Sequence, residues 1–146
     1  MDNKKDEAWL LYVGTYPPRE CGIATFTKDL TNAIDEKCPS TIKTKLCALN
    51  KNAVNIYNYP DEVIFTISDS NIQHYIDVAK QINSNDKIKI INIQHEFGIF
   101  GGEYGSYLIP FLEIIEKPVI VTFHSVLPRP DNVLKQVVKS IADKAD

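Results

Sequence analysis

No stretch of this chain approaches the roughly 20 consecutive apolar residues that cross a bilayer, so no transmembrane segment is expected. The run from Ala8 to Val13 is too short for the apolar core of a signal peptide, and the charged, polar residues 1–7 precede it. A basic surplus is also lacking. Sixteen Lys and Arg are scattered against 19 Asp and Glu, for a net charge of −3, and this argues against nucleic acid as a partner. Cysteine is scarce: Cys21, Cys38 and Cys47 are odd in number and show no metal-type pairing. A reduced, cytoplasmic setting is expected, with no metal. The close-set glycines of the dinucleotide fingerprint are missing, and no acidic residue ends the second predicted strand, where Leu49-Asn50 stand. A nicotinamide-dependent dehydrogenase is therefore not expected. There is no internal repeat and no low-complexity segment.

What is present is an ordinary globular composition. At 146 residues, 44% hydrophobic and 24% charged, the chain is sized for one domain with its own core. Apolar runs alternate with helical periodicities. Trp9 to Val13 reads as a strand buried on both faces, and it ends at Gly14. After a loop, Ile23, Phe26, Leu30 and Ile34 fall on one helical stripe, which Cys38-Pro39-Ser40 breaks. Thr41 to Leu49 reads as a strand nearer the sheet edge, and the polar stretch 50–60 as turns. Val63 to Ile67 is the next strand. Asp69-Ser70-Asn71 offers a helix N-cap before the face Ile72, Tyr75, Ile76, Ala79 and Ile82. Ile88 to Gln94 and Val119 to Phe123 are central-strand candidates. Between them a helix is expected over Tyr107 to Glu116, with Leu108, Phe111, Leu112 and Ile115 inward and Pro110 in its first turn. A last helix over Asn132 to Asp143 presents Val133, Val137 and Ile141. The alternation predicts an α/β fold: a Rossmann-like, doubly wound parallel sheet in the order 3-2-1-4-5 with helices on both faces. A doubly wound unit would normally continue into another strand after such a helix, so residues 1–146 read as one domain of a longer protein.

Ligands of open α/β sheets bind beyond the carboxyl ends of the strands, and three such ends carry polar residues here. The first feeds a loop from Gly14 to Gly22 and then a helix, the form of an anion site, with Arg19 and Cys21 in the loop. A plain surface loop is the alternative. The second end is His95-Glu96, followed by Gly98, Gly101, Gly102, Glu103 and Gly105, a glycine-rich loop that could pack close to a ligand or hinge. Strand neighbours point to opposite faces, so His95 and Glu96 are expected to do separate jobs. The third end is His124-Ser125, where the imidazole either ties down the loop or donates to a substrate oxygen. Cys47 is expected in the core.

At these residues the chain resembles the N-terminal half of a GT-B-fold glycosyltransferase of family 4 (group 1). Gly14-Thr15-Tyr16-Pro17-Pro18 through Gly22-Ile23-Ala24-Thr25-Phe26 resembles the family's opening loop and helix. Gln94-His95-Glu96-Phe97-Gly98 resembles its "h.HE" strand end, and Thr122-Phe123-His124-Ser125 its "T.H" strand end. The resemblance runs from about Trp9 to the last residue. It implies a retaining transferase that moves a sugar from a nucleotide-sugar donor to an acceptor glycan or lipid-linked saccharide, with no metal required. It assigns Gly22, with Cys21 and Arg19, to the donor diphosphate. His124 is assigned to the reaction centre, and His95, Glu96, Gly101, Gly102 and Glu103 to the acceptor side of the cleft. The family often has two glycines where Cys21-Gly22 stand. A second, C-terminal domain would bind most of the donor in cis, so this half alone is not expected to turn over. Members often work at the inner membrane face, although no basic amphipathic helix is evident here. The alternative is a stand-alone Rossmann-like module that binds a glycan, nucleotide or protein without chemistry. A phosphate-receiver domain fits less well, because Gly14-Thr15 and His124 stand where it needs acidic residues and a lysine.

Overall fold

Short β-branched and aromatic runs become strands here, and amphipathic segments between them cover the sheet, although the strand residues Ile90 and Ile120 stay exposed. The computed structural model describes residues 7–52 and 57–146; residues 1–6 of the polar N-terminus and 53–56 of the turn-rich stretch lie outside the described residues. In chain order the elements are β1 (Ala8–Gly14), α1 (Gly22–Lys37), β2 (Ile42–Asn50), β3 (Val63–Ser68), α2 (Ile72–Asn83) and β4 (Ile88–His95). A 3-10 turn (Glu103–Gly105), α3 (Leu108–Ile114), β5 (Val119–Phe123) and α4 (Asn132–Ala142) follow. The sheet is parallel throughout, in the expected order β3-β2-β1-β4-β5.

The two faces of the sheet are covered unequally. Leu11, Val13, Ile91 and Ile93 point into the larger core, where α2 adds Tyr75 and Ile82, α3 adds Phe111, and α4 adds Val137 and Ile141. On the opposite face Tyr12, Leu46 and Ala48 meet α1 through Leu30. Each helix start has a local cause. Asn71 Oδ1 accepts the Gln73 N–H at 3.0 Å to cap α2, and Asp131 Oδ1 accepts the Leu134 N–H at 2.8 Å to cap α4. Pro110 is the third residue of α3, within the turn that needs no donor.

Three apolar residues that the periodicity puts inward lie outward instead. Phe26, Ile72 and Val133 are 46%, 43% and 42% exposed. In α1 the buried positions are Ala24, Thr27 and Thr31, small side chains that let the helix axis come close to the sheet. The large residues Ile23, Leu30 and Ile34 flank that strip half-buried, and Phe26 is left at its margin. In α2 the expected Tyr75, Ala79 and Ile82 are buried and Val78 joins them, and in α4 Val137 and Ile141 are buried with Leu134 in place of Val133. Ile115, expected inside α3, instead ends the helix and is half-buried.

β5 lies at one edge of the sheet. Its outward N–H and C=O at Val119 are both taken by Asp146, whose Oδ2 accepts the first at 2.9 Å and whose N–H donates to the second at 2.9 Å.

Candidate functional site

The carboxyl ends of β1, β4 and β5 lie side by side because these strands are neighbours in the sheet. Above β1, Thr15 is buried, and its hydroxyl lies 3.0 Å from Cys21 Sγ. Cys21 is the N-cap of α1: its sulfur accepts the Ala24 N–H at 3.4 Å, and its carbonyl accepts the Thr25 N–H at 3.2 Å. Among the described residues this leaves the Gly22 and Ile23 N–H groups of the first turn without a protein acceptor. Gly22 is exposed, and a Cβ built on it would meet no atom within 4 Å. Nothing in the chain's own packing demands glycine there. Arg19 donates from Nη1 to the Leu49 carbonyl at 2.7 Å, which holds its guanidinium at the end of β2.

His124 is the point where three elements meet. Its backbone N–H donates to the His95 carbonyl at 2.9 Å, which extends the β4–β5 ladder by one bond. Its Nε2 lies 2.7 Å from Gln94 Oε1 on β4. Phe26 on α1 packs edge-on against its ring, with centroids 4.8 Å apart. The half-exposed Phe26 thus brings the first turns of α1 against the end of β5.

His95 is placed differently. Strand alternation turns it to the opposite face from Gln94, into a cage of Phe97, Phe100 and Phe123 with ring centroids 5.2, 5.7 and 5.0 Å away. It is fully buried, and neither ring nitrogen has a hydrogen-bond partner. Burial pushes its imidazole down to about 4, while the Glu96 carboxylate pulls it partly back. His95 is therefore neutral at physiological pH. Glu96 does not hydrogen-bond to it. The Glu96 carboxylate accepts the Phe97 N–H at 2.8 Å and the Ser125 hydroxyl at 2.5 Å, which ties the β4 end to the β5 end.

The glycine loop beyond His95 has structural reasons for its composition. A Cβ on Gly101 would lie 1.8 Å from the Asp69 carbonyl oxygen, and Gly102 has φ +77°. The loop is held by the Gly101 N–H donating to Tyr75 Oη at 2.9 Å and by Tyr104 Oη donating to Asp131 at 2.6 Å. Glu103 is exposed at the loop's tip. An apolar hollow of about 320 Å³ opens on the α4 side of Phe97 and Phe123; Ser125 lines it, and Gly22, Gln94 and His124 do not.

The structure thus brings Cys21, Gly22 and His124 to one end of the sheet through Phe26, ties Glu96 to Ser125 there, and seals His95 beneath. Residue typing alone missed Phe26, Gln94 and Ser125. Strand parity carried a signal for Gln94, because residues 94 and 124 share a face that 95 does not. Among the described residues no group of three or more His, Cys, Asp or Glu is placed to hold a metal ion, and no helix is long and apolar enough to cross a membrane. No protein-family model matches this chain, and no curated protein matches it.

Proposed function

We propose that this domain is the acceptor-side half of a retaining glycosyltransferase of the GT-B kind, working with a second nucleotide-sugar-binding domain in cis. The observation that carries the reading is the meeting of the first two turns of α1 with the β5 end at Phe26 and His124, whose ring centroids are 4.8 Å apart. A sugar diphosphate needs just such a juxtaposition. Its phosphate oxygens can take the free N–H groups of Gly22 and Ile23 at the positive end of the α1 dipole. The sugar then lies over the strand ends, with His124 beside it. Glu96, held by Ser125, and the loop carrying Gly101, Gly102 and Glu103 bound the acceptor side. Free thiols at Cys21, Cys38 and Cys47 fit a cytoplasmic setting.

Gly22 supplies the test. Its Cβ space is empty, so Gly22→Ala should leave stability within about 1 kcal/mol of the parent, on the stabilising side. A methyl group there would stand where the diphosphate must approach. Titration with UDP-glucose or GDP-mannose at roughly millimolar concentration, followed by amide NMR, should move the Gly22, Ile23 and Phe26 resonances. Gly22→Ala should weaken that response about tenfold. Unmoved resonances with every nucleotide sugar, and shifts with free glycans instead, would favour a binding module without chemistry.

A further inference from the structure

We infer that Gln94 is a positioning residue that holds His124 with its proton on Nε2, so that the bare Nδ1 faces the ligand as a hydrogen-bond acceptor. The assignment deepens the glycosyl-transfer reading and rests on it only for the nature of the ligand. It begins with Asn92. The Gln94 amide nitrogen donates to Asn92 Oδ1 at 2.7 Å, two residues back on the same face of β4. That bond turns the amide oxygen of Gln94 away from Asn92, to 2.7 Å from His124 Nε2. An amide oxygen only accepts, so the ring must donate from Nε2. In a neutral imidazole the other nitrogen then carries the lone pair.

The Gln94 side chain is held by its surroundings. It is fully buried, and its Cβ stands where β1 has no side chain: a Cβ on Gly14 would come within 3.2 Å of it. Phe26 also packs edge-on against the imidazole. Among the described residues His124 Nδ1 has no protein partner, yet the buried unpartnered side-chain atoms there are the ring nitrogens of His95. The Nδ1 lone pair therefore reaches solvent at the strand ends. A lone pair on Nδ1 takes the proton of a ligand hydroxyl and offers nothing to an anionic oxygen. This reverses the donor role that the sequence suggests for His124: the diphosphate belongs to the α1 N-terminus, and a sugar hydroxyl belongs to His124.

Long-range proton–nitrogen NMR on this chain at pH 7.5, with no ligand, reads the tautomer directly. The parent should show a protonated Nε2 and a bare Nδ1. Two substitutions probe the cause. Glutamate at this position can only accept, so Gln94→Glu should keep the proton on Nε2. Gln94→Met fills the same space without a polar atom, and the tautomer bias should fall about fivefold, the worth of one neutral hydrogen bond near 1 kcal/mol. A proton on Nδ1 in the parent, a tautomer inverted by Gln94→Glu, or a bias unmoved by Gln94→Met would each overturn the assignment, and the methionine variant keeps the test open if the buried glutamate prevents folding. Adding UDP-glucose then separates the two ideas. A shift at Nδ1 with Nε2 unmoved supports both; the expected tautomer with no response to any nucleotide sugar leaves Gln94 positioning His124 and removes the glycosyl-transfer reading.

Discussion

Acidification from pH 7 to pH 4 is expected to remove about 3 kcal/mol of stability through His95 alone. The imidazole is fully buried among Phe97, Phe100 and Phe123, and burial lowers it from 6.5 to about 4. An unfolded chain takes up this proton as the pH falls below about 6.5, whereas the folded chain refuses it until about 4. The stabilisation is therefore complete above the unfolded value. It falls through the window between the two and levels off below the folded one. His95→Phe should flatten this part of the profile. It also removes two polar nitrogens that have no partner, which offsets the strain of a larger ring, so stability at pH 7 should hold within about 1 kcal/mol. Urea unfolding at half-unit steps between pH 7.5 and 4 checks this. Parallel losses in parent and variant over that window would assign the acid sensitivity to other groups.

Gly101→Ala is expected to cost about 3 kcal/mol or more, although it adds only one methyl group to a surface loop. The new Cβ would lie 1.8 Å from the Asp69 carbonyl oxygen, 2.9 Å from its carbon and 2.7 Å from the Tyr107 ring. A flexible side chain could yield, but Asp69 is backbone at the junction of β3 and α2. Its carbonyl also accepts the Tyr75 hydroxyl at 3.2 Å, and that same hydroxyl accepts the Gly101 N–H at 2.9 Å. Relieving the clash therefore breaks a buried bond pair as well as moving the chain. The urea midpoint should fall sharply with an unchanged slope. Near-parental stability in Gly101→Ala would mean that the loop has a second arrangement of similar energy.

The order of the sheet was legible because β1, β3 and β5 are nearly unbroken apolar runs, β4 carries isoleucine at 88, 90, 91 and 93, and three of the four segments between strands carry a helical period. The helix caps at Asn71 and Asp131 were equally open to reading or follow the same chemistry. Orientation within the helices was less legible. α1 buries Ala24, Thr27 and Thr31, and small or hydroxylated residues give a weak hydrophobic signal even when they form the contact face. The same limit hid Phe26, whose size argued for the core while its place at the strip's margin put it against His124. The two histidines looked equivalent as strand-end residues. The ladder separates them: residue 95 falls on the face of the large core, and residue 124 on the face it shares with Gln94. The glycine loop looked like ligand-facing backbone, yet Gly101 is small for the sake of Asp69. Gly22, by contrast, has no such internal reason.

Asp146 gives β5 an unusual solvent-exchange signature. In a parallel strand alternate amides face alternate neighbours. The Ile91 N–H donates to Pro118 and the His124 N–H to His95, so the amides of Ile120, Thr122 and His124 turn towards β4. Those of Val119, Val121 and Phe123 turn outward, and among the described residues only Val119 of the three finds an acceptor, the Asp146 carboxylate. Deuterium should therefore enter Val121 and Phe123 early and Val119 late. Asp146→Asn should leave the Val119 amide protected, because the side-chain oxygen remains, whereas Asp146→Ala should bring its exchange towards the rate of Val121. One carboxylate would then account for the difference between a closed and an open end of the same strand.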